Sequence, residues 1–412
     1  MTLAAKSTSS PAAPGRAAGA GSLPSGPGSL AGRRGASAVP WEIWGGALAV
    51  TLSIVGLEWD IAWHSSIGRD RFWTPAHMLI YLCGVITAVV SGYLVLSTTF
   101  GGRGRAAERR TRAVGIFGLR APLGAFVAAW GGLAMLVSAP FDDWWHSAYG
   151  LDVEVLSPPH ILLFFGLAMI ASGFLLVAAG AMNQAAGVGG AGLGWVEGLF
   201  LYLGGLNLMM YMIIFEQRTE IWQLHNAGPY KTLAAFAPFV LAVLGSAARS
   251  GWGATAAVGV YSAIRIAAIQ ILPLFAATPK LGPVYTPVTH LIPAEFPILL
   301  VVPAMVLDLW WRHAGGMRLW LRGVLSGLLF TAALVAAEWP FANFLVSKWA
   351  ANRFFGTLYV GYATHVADRA PHLAGSQSGW PLAHGLLVAA AMAVCASWPG
   401  LAVGRWMREV QR

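Results

Sequence analysis

Asp60, His64 and His77 lie within EWDIAWHSSIGRDRFWTPAH, Glu58 to His77. Only 10% of the 412 residues are charged, yet these twenty include two Asp, two His and a Glu. Two imidazoles and a carboxylate are a ligand set for a transition metal. Copper, iron and zinc all accept it, and the ligand types alone do not choose among them. Asp60 and His64 are four residues apart, so on a helix their side chains share one face. Thr74 and Pro75 read as an N-cap and a first helical residue, which places His77 in the first turn of the next helix. The positive end of the helix dipole there disfavours imidazolium and keeps the ring available to a metal. A helical hairpin would bring His77 back beside Asp60 and His64. Glu58 and Asp70 are expected in supporting positions around them.

The pattern occurs again in FDDWWHSAYGLDVEVLSPPH, Phe141 to His160. Asp142, His146, Asp152 and His160 follow the order of Asp60, His64, Asp70 and His77, with one extra residue before the last His. Ser157 and Pro158 repeat the cap and the first helical proline. The matched order suggests duplication of a two-helix unit. In the plainer reading, Asp and His beside Trp cap a helix end and face interfacial water, where aromatic residues gather. One copy fits that reading as well as it fits a ligand set. A second copy with His at matched positions weighs against it, since capping does not require His twice.

The elements that must carry these residues are membrane helices. The chain is 57% hydrophobic, with 19 Trp and 50 Gly, the composition of an integral membrane protein. Apolar runs long enough to cross a hydrocarbon core of about 30 Å are expected at 41–57, 75–99, 121–141, 158–182, 191–215, 231–248, 253–277, 287–310, 318–337 and 380–402. The fold class is therefore an all-α polytopic bundle of about ten transmembrane helices. Residues 1–40, dominated by Ala, Gly, Ser and Pro, are expected to be a disordered tail. Residues 41–183 form the region with both hairpins, and 184–412 the remaining bundle, with an outer loop over 338–379. Arg33 and Arg34 precede an apolar run without a clear cleavage site, so the first span reads as an uncleaved helix. Cys83 and Cys395 are the only cysteines. Both fall in apolar runs, so any metal must use nitrogen and oxygen ligands.

The net charge of +9 marks topology rather than a nucleic-acid partner. Arg16, Arg33 and Arg34, the cluster Arg103 to Arg112, the group Arg312, Arg318 and Arg322, and Arg405, Arg408 and Arg412 all fall on one side of ten spans. The positive-inside rule makes that side the cytoplasm. Both termini are then cytoplasmic, in a bacterial-type inner membrane, and the Asp and His motifs face outward.

Other polar residues accompany them. Glu216, Glu220 and His225 follow the fifth span. His290 and Glu295 open the eighth, where Thr286 and Pro287 again read as a cap and a first helical residue. Arg265, inside the seventh span, needs a partner because an unpaired charge facing lipid is costly. Glu295, about three turns into the next helix, lies at a compatible depth, which predicts an Arg265–Glu295 pair in the bundle interior. That pair would serve equally as structural glue or as part of a site. Glu338 and the outer segment with His365, Asp368 and His372 read as an exposed loop or a cover over the site. No nucleotide-binding glycine loop or Ser-His-Asp arrangement stands out.

At Asp60, His64 and His77 the chain resembles the C-subunit family of particulate methane monooxygenase and ammonia monooxygenase. In that family Asp, three residues, His, twelve residues, His supplies a metal site. RDRFWTPAH, Arg69 to His77, also resembles the family's Arg-Asp followed by Phe-Thr-Pro-x-His. The likeness covers about twenty residues and, through the second copy, about twenty more. Ten spans exceed the expected number for such a subunit, and no soluble cupredoxin-like region is present. The resemblance implies a copper site in a membrane oxygenase that activates O2 toward a small apolar substrate or ammonia. A soluble copper-domain subunit or an electron donor would come from another chain. A different class of function, membrane metal binding or transport without oxidation chemistry, uses the same Asp and His residues.

Overall fold

The computed structural model describes residues 39–68, 71–150, 156–187, 192–219, 224–280, 288–356 and 376–411. Residues 1–38, Asp70, Asp152, Glu220, His365, Asp368 and His372 lie outside the described residues. The chain is built from helices α1 (Trp41–Ser66), α2 (Pro75–Phe100), α3 (Arg105–Arg112), α4 (Leu123–Tyr149), α5 (Pro158–Gly187), α6 (Leu193–Ile214), α7 (Ala227–Ala247), α8 (Gly253–Ile271), α9 (Val301–His313), α10 (Leu319–Leu345) and α11 (Gly379–Glu409). Among the described residues a single two-stranded hairpin, β1 (Val114–Ile116) and β2 (Leu119–Ala121), stands between α3 and α4. Among the described residues nine helices, all but α3 and α9, are long and apolar enough to cross a membrane. The protein is an all-α polytopic membrane protein.

Consecutive helices pack as antiparallel neighbours, α1 on α2 and α4 on α5, while α11 returns to pack along α7. The α4–α5 contact is a backbone-to-backbone approach. A Cβ at Gly131 would meet Gly166 O, and one at Gly173 would meet Ala128 N. Small residues permit such proximity where lipid removes the hydrophobic drive for association. On the far side, Arg109 of α3 donates to Glu42 in the first turn of α1 at 2.6 Å, so the basic segment after α2 is fastened to the bundle.

The expected eighth span, 287–310, is not one helix. Residues 291–299 run without helix, and α9 begins only at Val301. Pro293 and Pro297 explain this: neither has an N–H to donate, and each disfavours helical geometry in the residue before it. Non-helical backbone inside a membrane must be satisfied by neighbouring protein, and here it is. Ile292 N donates to Ser66 Oγ at 2.6 Å, Ile298 N to Tyr261 Oη at 3.2 Å and Leu299 N to Glu338 Oε2 at 2.7 Å. His290 therefore does not open a helix as His77 and His160 do; it sits in a bridge with Ala276. The ninth apolar run, 318–337, also differs from expectation: α10 continues to Leu345, so Glu338 is a fully buried helical residue rather than the start of an outer loop.

Candidate metal centre

α1 does not stop at residue 57. It continues through Ser66, which places Asp60 and His64 on one face of its last two turns. α4 carries Asp142 and His146 in the same way before ending at Tyr149. Each helix is stopped by a glycine four residues after its His. Gly68 and Gly150 have φ of 87° and 91°, and their N–H groups bond back to Trp63 O and His146 O. Only glycine adopts this conformation without steric cost.

The returning helices start as expected, with Pro75 and Pro158 as first residues and His77 and His160 in the first turn. The expected side-chain caps are not made. Thr74 is the N-cap residue, but its hydroxyl accepts from Arg71 N at 2.8 Å, within the preceding turn. Ser157 Oγ is buried without a hydrogen-bond partner among the described residues. Proline at the first helical position leaves fewer N–H groups to cap, which lowers the demand for the hydroxyl.

Each hairpin closes its two His and one Asp into a cluster. In the first, His77 Nε2 lies 3.2 Å from Asp60 Oδ1, and His64 Nε2 lies 3.7 Å from Asp60 Oδ2. In the second, His160 Nε2 lies 3.4 Å from Asp142 Oδ1, and His146 Nε2 lies 3.4 Å from Asp142 Oδ2. Among the described residues, Asp142, His146 and His160 are the set whose three ligand atoms all fall within 4.8 Å of one another. The structure thus contains a possible metal-binding triad.

In the second hairpin these separations fit ligands around an ion. Bonds of about 2.0–2.1 Å in a tetrahedral arrangement put ligand atoms about 3.3–3.4 Å apart, and three of the four distances lie within 0.2 Å of that range. Asp60 Oδ1 is also buried and accepts no hydrogen bond among the described residues. All six side chains use Nε2 or carboxylate oxygen, donors that suit copper, iron and zinc alike.

Aromatic residues surround both clusters. Tyr81, one turn after His77, lies 6.1 Å from it and 5.1 Å from Phe72. Phe141, Trp144, Trp145 and Tyr149 form a continuous set of ring contacts around the end of α4. Trp73 and Trp144 are exposed, as expected of an interfacial belt. Between α2 and α4 runs an apolar groove of about 750 Å³, lined by Tyr81, Gly84, Ala88, Leu133, Leu136 and Ala139 among others. Its lining includes Tyr81, one turn after His77, and Ala139, three residues before Asp142.

Glu58 does not support the first cluster. Two residues before Asp60 on α1, it points about 200° away and is buried against α8, where Arg265 Nη1 donates to both its carboxylate oxygens at 2.8 and 2.9 Å. Arg265 Nη2 donates to Glu216 at 2.9 Å. The expected Arg265–Glu295 pair is therefore replaced by Glu58–Arg265–Glu216. The eighth span is broken, and Glu295 lies in its extended part rather than three turns into a helix. His225 is likewise structural, with Nε2 2.7 Å from Asn343 Oδ1 and its ring edge-on to Trp339. The chain matches no family model, no curated protein and no solved structure.

Proposed function

We propose that this protein is a copper-dependent membrane monooxygenase-like subunit, with one metal held by Asp60, His64 and His77 and another by Asp142, His146 and His160. The observation that carries the reading is the convergence of two imidazoles on each carboxylate at 3.2–3.7 Å, in two hairpins of like sequence. Duplication of one hairpin accounts for the shared glycine stop, proline start and His positions. Copper held there would supply one-electron chemistry toward O2.

The chain's own residues do the rest. Asp60 and Asp142 each offer both oxygens, one toward each imidazole, and so fix the spacing of the ring nitrogens. The helix starts at Pro75 and Pro158 favour neutral His77 and His160. The aromatic residues shield the clusters, and the groove between α2 and α4 gives a small apolar substrate a route from the lipid toward them. Electrons come from a partner, a soluble copper-domain subunit or other donor. The basic residues of α3, the α9–α10 turn and the end of α11 support a reading with cytoplasmic termini and clusters at the outer face of a bacterial-type inner membrane.

A second reading, metal binding or transport without oxidation, is favoured by exposure. The His64 side chain is 40% exposed and the second set 23–27%, which allows an ion to exchange. Purified protein supplied with copper, a reductant and O2 separates the two. Oxygenation of short alkanes or ammonia, lost in His77→Ala and His160→Ala, supports the oxygenase. Copper binding without any product supports the second reading.

A further inference from the structure

The bundle interior holds a second group of ionisable residues that none of the metal chemistry uses. Arg265 is 4% exposed and is shared by Glu58 and Glu216. One turn before it on α8, Tyr261 Oη accepts Ile298 N; the next amide, Leu299 N, is bound by Glu338 Oε2. These consecutive amides belong to the extended limb of the broken span, directly before α9. Glu58 and Glu216 thus bring two carboxylates to the guanidinium, while Glu338 binds the extended limb.

Glu338 is the unbalanced one. It is fully buried on α10, no cation pairs with it among the described residues, and its Oε1 has no hydrogen-bond partner. Its surroundings are Tyr230 of α7, Tyr261 of α8 and the Leu299 amide, with Arg265 already engaged by the other two carboxylates. An ionised carboxyl buried without a counter-charge costs several kcal/mol, and an ionisable residue inside a membrane bundle is a functional position by default. Broken helices are the elements from which membrane transporters build ion sites.

We propose that Glu338 is a proton-binding site that acts on the break in the eighth crossing. On uptake, an O–H bond forms at Glu338 and a hydronium ion becomes water; release reverses this. Ionised, the carboxylate holds Leu299 N–H and the positive end of α9; protonated, it loses that charge and loosens its grip on the limb. The limb is tied at its other end to Ser66, in the last turn of the helix that carries Asp60 and His64. The proposal uses no metal ligand and stands or falls apart from the copper reading.

Infrared difference spectra of the full chain in vesicles, taken between two pH values, test it directly. A carboxylic-acid carbonyl band that shifts in D2O and disappears in Glu338→Gln is the expected result. Tyr261→Phe, which keeps the carboxyl but removes the acceptor of Ile298 N beside the Leu299 bond, should retain the band and move its titration midpoint by at least about threefold in proton affinity, the scale of one hydrogen bond. If Glu338→Gln does not fold, the Tyr261→Phe midpoint decides. An unmoved midpoint, a band that survives Glu338→Gln, or a wild-type spectrum without any carbonyl change would overturn the proposal. So would a response to exchanging sodium for potassium at constant pH, which would make the ligand an alkali cation.

Discussion

The hairpin of α1 and α2 and the hairpin of α4 and α5 gather the same three side chains, but they are fixed differently. In the first, the imidazoles stand unevenly, at 3.2 and 3.7 Å from the carboxylate, with His77 16% and His64 40% exposed. In the second they stand evenly, both at 3.4 Å and 23–26% exposed. The end of α1 is embedded among its neighbours. Glu58 is held by Arg265, Ile67 O receives Lys280 N, and Ala62 and Ile67 pack with Leu272, Ala277 and Leu291. At the position matching Glu58, α4 has Pro140, which has no charge to anchor. The ligand set is thus a local property of each hairpin, while the surrounding bundle decides how evenly the ligands stand.

The largest expected effect separates anchor from ligands. Glu58→Ala leaves Arg265 with a buried, half-satisfied charge and should cost about 3–5 kcal/mol, read as a fall in unfolding free energy in detergent. Metal affinity of the second hairpin should stay unchanged in that variant. A variant as stable as wild type would remove the asymmetry between the hairpins. Next come the central carboxylates. Asp60→Ala and Asp142→Ala should each weaken metal binding in their own hairpin by at least about 100-fold, beyond what loss of an outer partner costs, and leave the other hairpin intact. Titration calorimetry of the two variants shows whether the sites are independent.

A smaller effect tests the uneven geometry itself. His64→Ala should weaken the first site less than His77→Ala does, because His64 is farther and more exposed. His146→Ala and His160→Ala should weaken the second site equally. Equal losses in the first pair, or unequal losses in the second, would break the comparison. The smallest effect lies in the caps. Thr74→Ala should cost about 0.5–1.5 kcal/mol, one hydrogen bond, whereas Ser157→Ala should be near neutral, as the thermal midpoints of both variants will show.

The readable parts of the molecule were those determined within a few residues. The four-residue spacing of Asp60 and His64, and of Asp142 and His146, sets one helix face whatever surrounds it. TPAH and SPPH start their helices at the prolines, which put His77 and His160 in the first turn. Apolar length found nine of the spans. It failed for 287–310 because length says nothing about donors, and Pro293 and Pro297 remove them; the two prolines were the signal that should have decided it. The need of Arg265 for a carboxylate was legible from burial cost. Its partners were not, because Glu58 and Glu216 come from α1 and the turn after α6, and no local rule brings those elements to α8. Glu338 reads as the start of a loop because a charge and a proline stand together at Glu338-Trp339-Pro340, although the helix continues to Leu345.

The central claim is that each hairpin holds its own ion. Copper content per chain, measured by mass spectrometry after gentle purification of wild type, His77→Ala, His160→Ala and the double variant, tests it most directly. The account predicts one ion per hairpin, hence the loss of one ion in each single variant and of both in the double variant. No transition metal in the wild type, or a content that both substitutions leave unchanged, would contradict it.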